Sequence, residues 1–477
     1  MLFNSIDFAI FMPIVFCIYW ALSKNVKRQN FFLLAASYFF YAWWDWRYLS
    51  LILICSITNY GAGLFMLKYD SYKIRKTVLI TACCVCFGIL GIFKYYDFFV
   101  NSFVDAFSLL GIRLQAHTLK LILPVGISFY TFHTLSYTID VYRGKFLPTK
   151  DVISFFLFVS IFPLAMAGPI ERATHLLPQI YQKRTFDYNQ AVDGMRQILW
   201  GLFKKVVIAD NCATYVNQVF ENPSAQTGST LLLGAIFFAF QIYGDFSGYS
   251  DMAIGIGKLL GFKFLNNFRL PYFSRDIAEF WRRWHISLNT WFRDYLYIPL
   301  GGSRVSKIKI VRNTFIIFLV SGFWHGANWT FIVWGAFHAI LFLPLILFGK
   351  NRKNTDTVAE GKFLPSIKEI FQMGLTFLLI VIGWVFFRAN TIGQAFEYLG
   401  GMIQFGTLRA SYRFFFTGFP SWTIFLLLIA EWMQRNKQHG LEISNINEWL
   451  RHIIYIILIL CIVLYMGKNE QFIYFQF

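Results

Sequence analysis

Two histidines lie in segments where an ionisable side chain is costly. His325 lies in SGFWHGANW (321–329), between two apolar runs, and His285 lies within a charged, aromatic segment, 274–298. A charged group at the centre of a bilayer costs about 2.5–3.5 kcal/mol on insertion scales, so such residues usually face an interior cavity. A neutral imidazole costs less, and its ordinary pKa of about 6.5 keeps it available as a base at neutral pH. We interpret both residues as candidates for acid and base catalysis.

The other six histidines give a weaker signal. His133 and His338 lie in apolar runs without a polar cluster around them, so we interpret them as packing residues. The rest lie near basic or loop segments, as is typical of a membrane interface: His117, His175, His439 and His452. The sequence has no H-x-x-x-H pair or comparable close ligand spacing, and a metal site is therefore not predicted.

A further polar cluster interrupts the apolar run 231–260. Its members are Asp245, Ser247, Tyr249, Ser250 and Asp251. One interpretation is helix packing, because Gly244 and Gly248 have the spacing of close helix contacts and the hydroxyls can bond to neighbouring helices. The other is a polar pathway, in which the carboxylates orient a catalytic histidine or pair with the arginines of the charged segment. The sequence leaves both open.

Residues 274–298 predict one amphipathic helix. Asp276 followed by Glu279 resembles an N-terminal capping box. From there, helical spacing places a group of side chains on one face: Trp281, Trp284, His285, Leu288 and Phe292. The arginines, Arg282 among them, occupy other faces. Because a buried spanning helix would not carry this many charges, we predict a re-entrant or tilted helix that lines a polar cavity.

These segments must be positioned by a bundle of membrane helices. Of the 477 residues, 57% are hydrophobic, 20% aromatic and only 14% charged, and the mean hydropathy of +0.51 is far from that of a soluble domain. Runs long enough to span a bilayer recur along the chain, which predicts an all-α polytopic protein with about eleven to thirteen transmembrane or re-entrant helices. No internal repeat divides the chain, so we predict a single integral domain over 1–477.

The net charge of +18 lies mainly in short connections between apolar runs. This positive-inside pattern predicts cytoplasmic loops at 23–29, 68–76 and 349–368, not binding to nucleic acid. Within the last of these, residues 349–362 have the composition of a flexible loop. Both chain termini are then predicted to face outward.

The sequence around the two histidines resembles the membrane-bound O-acyltransferase family. It is most similar to the bacterial branch that contains the alginate O-acetylation membrane protein, with relatives in peptidoglycan O-acetylation and teichoic acid D-alanylation. Six segments carry the resemblance: LPVGISFYTF (123–132), AGPIER (167–172), DFSGYSDMAIG (245–255), RDIAEFWRRWHISLNTWFRDYLYIPLGG (275–302), SGFWHGANWTFIVWG (321–335) and FRAN (387–390). One departure is His133, where the family pattern suggests glutamine.

The resemblance implies a helical bundle pierced by a funnel or tunnel, with His325 as the essential histidine and His285 as a second polar site. It implies that an acyl group, with acetyl favoured, moves from a cytoplasmic thioester to a hydroxyl. Such a reaction needs a base, orientation of both substrates and stabilisation of the developing oxyanion. Further tunnel and substrate contacts are predicted at Trp281, Arg282, Trp284, Trp324, Asn328, Asp245, Ser247 and Tyr249.

The resemblance also implies what the protein works with. The donor would be acetyl-CoA or an acylated carrier protein, used as a co-substrate, with no tightly bound cofactor. The acceptor would be an extracytoplasmic polysaccharide such as alginate, cellulose or peptidoglycan, reached with an esterase-like partner of the SGNH type. The expected location is the bacterial inner membrane, in contact with membrane lipid. A transporter for polysaccharide or lipid precursors is the alternative, although no pair of similar halves is visible.

The segment FIYFQF (472–477) follows the last apolar run. It resembles the terminal motif of a small peptide that accompanies teichoic acid D-alanylation, which makes Tyr474 a candidate acyl relay at the outer mouth of the funnel. Because tyrosine and phenylalanine are also favoured at membrane interfaces, an aromatic anchor is the alternative interpretation.

Overall fold

Nearly all of the apolar runs fold as helices. The structure is a computed structural model that describes residues 1–404, 421–466 and 470–475. The described residues are 72% helical and include no strand, which confirms the all-α prediction. Of the aromatic tail, Gln476 and Phe477 lie outside the described residues.

The described residues form two compact units. One comprises Met1–Val192 with Ile256–Leu265, and the other comprises Asp193–Gly255 with the described part of Asn266–Phe477. Both candidate histidines therefore belong to the second unit. The single integral domain expected from the sequence stays a prediction.

The first unit contains nine helices among its described residues: α1 (Ile6–Ala21), α2 (Val26–Asp45), α3 (Leu49–Lys68), α4 (Tyr72–Leu90), α5 (Tyr96–Leu109), α6 (Ile127–Tyr142), α7 (Val152–Ser160), α8 (Phe162–Ala165) and α9 (Ala173–Tyr181). Inside this unit the ring of His133 packs against Phe158. Its Nε2 accepts a hydrogen bond from the Glu171 amide at 3.0 Å. His133 is therefore a buried packing residue whose ring is tied to the backbone.

Two helices continue from one unit into the other, α10 (Tyr188–Leu202) and α12 (Gly228–Leu259). The second unit adds α11 (Asp210–Glu221), α13 (Ile277–Arg283), α14 (Ile286–Phe292), α15 (Lys307–His325), α16 (Trp329–Leu347), α17 (Ile367–Arg388), α18 (Ile392–Ile403), α19 (Trp422–Met433) and α20 (Glu448–Leu464). Between α10 and α11 the chain forms a π-helix, Phe203–Ala209. A short 3₁₀ turn, Ile473–Phe475, follows α20.

Among the described residues, five segments are long and apolar enough to cross a membrane: Val26–Lys68, Tyr72–Leu109, Gly228–Leu259, Trp329–Leu347 and Ile367–Arg388. The shorter helices α1 and α19 are also apolar. Val26–Lys68 is one continuous helical segment that joins α2 and α3, although the sequence shows separate apolar runs there. The chain is a multi-pass membrane protein.

Helix α12 approaches the residues around Lys204 closely because it carries glycines at the contact. A Cβ added at Gly244 would lie 2.9 Å from the Lys204 carbonyl oxygen, and one at Gly248 would lie 2.7 Å from the Gly201 carbonyl oxygen. Real Cβ atoms do not approach backbone oxygens this closely without displacement of one helix. The helix-packing interpretation of this stretch is confirmed.

Residues 274–298 do not form one helix, so the prediction of a continuous amphipathic helix is wrong. His285 has left-handed backbone geometry, with φ 45° and ψ 53°, between α13 and α14. The break is stabilised by hydrogen bonds to a residue outside the segment and by others within it. The Ile286 amide donates to the Asn267 carbonyl oxygen at 2.9 Å, and the Asn289 side chain donates to two carbonyl oxygens at the end of α13 and just beyond it. These hydrogen bonds replace the backbone hydrogen bonds that a continuous helix would form across the break.

Candidate active site

The two candidate histidines are neighbours inside the second unit. His325 is the last residue of α15, and His285 occupies the junction between α13 and α14. Their ring centroids are 6.3 Å apart, and the residues are only 3% and 1% exposed. Two imidazoles this close can both contact a single bound substrate. The structure therefore brings together the two residues that the sequence singled out.

A tight connection between α15 and α16 fixes the position of His325. Gly326 is extended and ends α15, and a Cβ at this position would collide with the Phe331 ring. Asn328 caps α16 by accepting a hydrogen bond from the Thr330 amide at 3.0 Å. Asn328 thus shapes the turn that carries the histidine, a role different from the predicted tunnel contact.

Hydrogen bonds assign the tautomer of His285. Its Nδ1 lies 3.0 Å from Asn267 Oδ1, and the side-chain amide of Asn267 donates to Ser250 Oγ at 3.2 Å. Because the Asn267 oxygen can only accept, Nδ1 of His285 carries the proton and Nε2 keeps its lone pair. A neutral His285 therefore accepts hydrogen bonds at Nε2. No motif in the sequence points to Asn267, which lies outside the charged segment.

Tyr474 lies beside both histidines. Its ring centroid is 5.6 Å from that of His325 and 6.3 Å from that of His285. The ring packs most closely on Phe246, at 4.3 Å. The Tyr474 hydroxyl is buried and has no hydrogen-bond partner among the described residues. The candidate relay residue and the candidate base are therefore in contact distance of each other in the protein interior.

The three tryptophans predicted to wall the cavity have different surroundings. Trp324 contacts both histidines, with centroid distances of 5.0 Å and 5.8 Å. Trp281 lies one ring further away, since it contacts Trp334 at 5.6 Å and Trp334 contacts His325 at 5.2 Å. Trp284 is fully buried in the aromatic core of this unit. Trp324 therefore borders the site directly, and Trp284 supports it by packing.

A cavity of about 440 Å³ lies among α13, α14, α15 and α16. Part of its wall is apolar, and part carries the guanidinium groups of Arg282, Arg293 and Arg352. Trp281 and Ser321 also line it. Ser321 lies one helical turn before His325 on the same face of α15. The cavity therefore comes within one helical turn of His325, although neither histidine is among its lining residues, and its volume suits a small organic ligand.

The two carboxylates of α12 bind lysines. Asp245 forms an ion pair with Lys205 at 2.8 Å, and Asp251 forms one with Lys204 at 2.6 Å. The interpretation in which these carboxylates orient a histidine or pair with the arginines of the charged segment is wrong. The physical reason is the π-helix Phe203–Ala209, which buries two consecutive lysines against α12, whereas one helical face would hold only one of them.

The two other residues of α12 that were predicted as tunnel contacts, Ser247 and Tyr249, contact side chains around the site. Ser247 Oγ accepts a hydrogen bond from Lys204 Nζ at 2.8 Å, and the Tyr249 ring contacts that of Phe472 at 5.0 Å. Sequence reasoning missed the lysines. A signal was present, since two adjacent lysines inside the apolar stretch LWGLFKKVVIA (199–209) require buried partners.

Arginines around α13 hold the loop 349–362. Arg275 pairs with Glu279 at 3.1 Å and with Asp356 at 3.0 Å. A hydrogen bond from the Arg275 guanidinium holds the pKa of the Asp356 carboxyl below its ordinary value. Arg282 lines the cavity and donates to backbone carbonyl oxygens of the same loop. The composition that predicts a flexible loop does not reveal these bonds.

The chain is similar over most of its length to proteins of one family. The family model described as membrane-bound O-acyltransferase matches residues 38–387. A probable alginate O-acetylase of Pseudomonas syringae pv. tomato is 41% identical over 418 residues, which cover 86% of this chain and 77% of the relative. A peptidoglycan O-acetyltransferase of Helicobacter pylori is 35% identical over 435 residues, with 84% and 80% covered. A teichoic acid D-alanyltransferase of Streptococcus thermophilus is 29% identical over 311 residues, with 61% and 75% covered.

Proposed function

We propose, since the chain belongs to the membrane-bound O-acyltransferase family and is an acyltransferase, that it moves an acetyl group from a thioester to a hydroxyl of a cell-envelope polysaccharide. The names of the similar proteins support this acceptor class, because alginate, peptidoglycan and teichoic acid are all polymers outside the cytoplasm. Two of the three names specify acetyl transfer to oxygen. Family membership decides against the transporter alternative.

One observation carries the proposal. The rings of His285, His325 and Tyr474 lie together, with centroids 5.6–6.3 Å apart. Acyl transfer from a thioester needs a base, which an imidazole can supply, and a protein hydroxyl can serve as an intermediate acceptor. The cavity lined by Ser321, one helical turn from His325, is the candidate binding site for the donor in this scheme.

The donor in this proposal is coenzyme A or an acyl carrier protein carrying the acyl thioester. Both donors bear phosphate, and guanidinium groups bind phosphate well. Arg282, Arg293 and Arg352 therefore suit the phosphate end, and the apolar wall around Phe318 suits the acyl arm. The thioester then lies toward Ser321 and His325, where the base is.

His325 acts as the general base. Its imidazole takes the proton of the attacking hydroxyl while the hydroxyl oxygen bonds to the thioester carbonyl carbon. The C–S bond then breaks, and the leaving thiolate receives that proton from His325, which returns the imidazole to its neutral form. Neutral His285 accepts hydrogen bonds at Nε2, so it orients a donor group of the substrate, such as an amide. It is not placed to donate to the carbonyl in that state.

Tyr474 is the first acceptor in this scheme. Acylation of its hydroxyl would form a tyrosyl ester beside His325. A polysaccharide hydroxyl, or a nucleophile of an extracytoplasmic esterase-like partner, then attacks that ester and regenerates the tyrosine. We place the protein in the bacterial inner membrane, because such a scheme links a cytoplasmic donor to an acceptor on the opposite side.

Mass spectrometry of the C-terminal peptide tests the relay. Purified wild-type protein mixed with an acetyl thioester should carry the acetyl group on Tyr474, and Tyr474→Phe should neither carry it nor acetylate surface glycans. Tyr249→Phe is the matched control, because it removes another buried hydroxyl near the tail and should keep both activities. Full glycan acetylation by Tyr474→Phe would exclude the relay and leave the aromatic anchor as the explanation of the tail.

A further inference from the structure

A buried ionic cluster lies where α12 meets the π-helix. Lys205 Nζ is 2.7 Å from Asp210 Oδ1 and 2.8 Å from Asp245 Oδ1, and each of the three side chains is at most 5% exposed. Buried ion pairs are weak sources of stability, because desolvation offsets their attraction. The cluster therefore needs an explanation other than stability.

Two atoms of this cluster bind the main chain of the tail. Lys205 Nζ donates to the Glu470 carbonyl oxygen at 3.1 Å. The Ile473 amide donates to Asp245 Oδ2 at 2.6 Å. A lysine and a carboxylate thus hold opposite ends of a four-residue stretch, 470–473, and both bonds are charge-assisted. Bonds to the main chain fix the path of the tail whatever its side chains are.

Aromatic contacts continue from these bonds to the site. Phe472 packs on Tyr249 at 5.0 Å, and Phe472 and Ile473 are almost fully buried. Phe246, one residue after Asp245 on α12, contacts Tyr474 at 4.3 Å and His285 at 4.7 Å. Tyr474 is the residue that directly follows the bonded stretch 470–473. Its ring position therefore depends on a backbone that the cluster holds.

We propose that Asp245 and Lys205 are positioning residues, which dock the main chain of 470–473 so that the Tyr474 hydroxyl stays within reach of His325. This inference rests on the proposed relay function of Tyr474. A misplacement of about 1 Å between reacting groups can lower a rate a hundredfold, so docking of this kind controls turnover without touching the donor. The negative charge of Asp245 serves as the acceptor of an amide, not as a base.

The second ion pair of the same two elements provides a matched control. Lys204 and Asp251 are 2.6 Å apart, on the π-helix and on α12, as Lys205 and Asp245 are. Their described bonds go to Ser247 and Gln197, which lie outside the tail. Removing Asp251 therefore disturbs a largely buried lysine–aspartate pair without releasing the tail.

Hydrogen–deuterium exchange and kinetics on the full-length protein test the inference. Asp245→Ala should speed amide exchange in the peptide that spans 470–475, whereas Asp251→Ala should leave it unchanged. The same Asp245 variant should lower kcat about tenfold to hundredfold, the range expected for loss of a bond to a charged group. KM for the thioester should not change, because the donor cavity is untouched.

A second variant keeps the test decisive if Asp245→Ala does not fold. Ile473→Pro removes the amide N–H that donates to Asp245 and also replaces the Ile473 side chain, and proline is tolerated at the first position of a 3₁₀ turn. Ile473→Ala is its control for the lost side chain. Faster exchange and a lower kcat in Ile473→Pro than in Ile473→Ala would support docking.

Equal exchange and equal kcat in each variant and its matched control would overturn the inference. Failure of the relay itself would look different. In that case Tyr474→Phe would keep full activity, while the exchange measurement would still report whether Asp245 and Lys205 dock the tail.

Discussion

His285 and His325 share one site but have different fixed partners. His285 donates a hydrogen bond from Nδ1 to Asn267 Oδ1, whereas His325 is surrounded by the rings of Trp334 and Phe387 at 5.2 Å and 5.4 Å. An imidazole accepts a proton only when it is neutral. In the proposed mechanism, the site is therefore active when neither ring is charged.

Acyl transfer should consequently fall as the pH is lowered. In the proposed mechanism the base is a neutral His325, so activity should be lost as that imidazole becomes protonated. The measurement is kcat against pH for purified protein and a thioester donor. His175→Gln is the control, because His175 pairs with Glu171 in the first unit and its loss should leave the profile unchanged. A rate that stays constant down to the pH of unfolding would contradict neutral-imidazole catalysis.

At the scale of elements, the sequence predicted helices well and their interruptions poorly. Capping by Asp276 was visible in the sequence, and the structure confirms it with a 2.7 Å bond to the Glu279 amide. The break at His285 was not visible, because the atoms that cause it belong to Asn267. The π-helix that buries both Lys204 and Lys205 was equally hidden, since periodicity assumes a regular turn. Long-range hydrogen bonds decide such features, and helical spacing does not encode them.

Glu279 should be critical for the stability of these elements. Its carboxylate is 1% exposed and bonds Arg275 and Arg283, so Glu279→Ala leaves two largely buried guanidinium groups short of a partner. Loss of one partner of a buried ion pair costs about 3–5 kcal/mol. Thermal unfolding in detergent measures the effect. Asp70→Ala, which removes a fully exposed carboxylate paired with Arg75, should change the midpoint little, and equal shifts in both variants would refute this role of Glu279.

At the scale of the whole molecule, exposed apolar faces and basic loops define how the chain meets a membrane. Ile453, Ile456, Leu460 and Leu464 follow helical spacing on α20 and are at least half exposed, whereas Cys461 is buried. Such a face suits contact with lipid. The family and the two site histidines were readable from local motifs. The docked tail was not, because its partners are distant in sequence.

The predicted orientation can be tested with two single cysteines. Thr355→Cys lies in the loop expected to be cytoplasmic, and Gln471→Cys precedes the aromatic tail expected to face outward; both positions are exposed. An impermeant thiol reagent on intact cells should label the peptide with Cys at 471 and not the one with Cys at 355. After permeabilisation both should react. Labelling at 355 in intact cells would reverse the scheme.

In the proposed mechanism, His325 removes the proton from the accepting hydroxyl. The most direct test is acyl transfer by purified His325→Ala, compared with wild-type protein at matched expression and thermal stability. The expected result is a loss of about 10² to 10⁴ in kcat, the usual range for general acid–base catalysis. His285→Ala should lose less, because that residue only orients substrate in this account. Wild-type turnover by His325→Ala would exclude His325 as the general base.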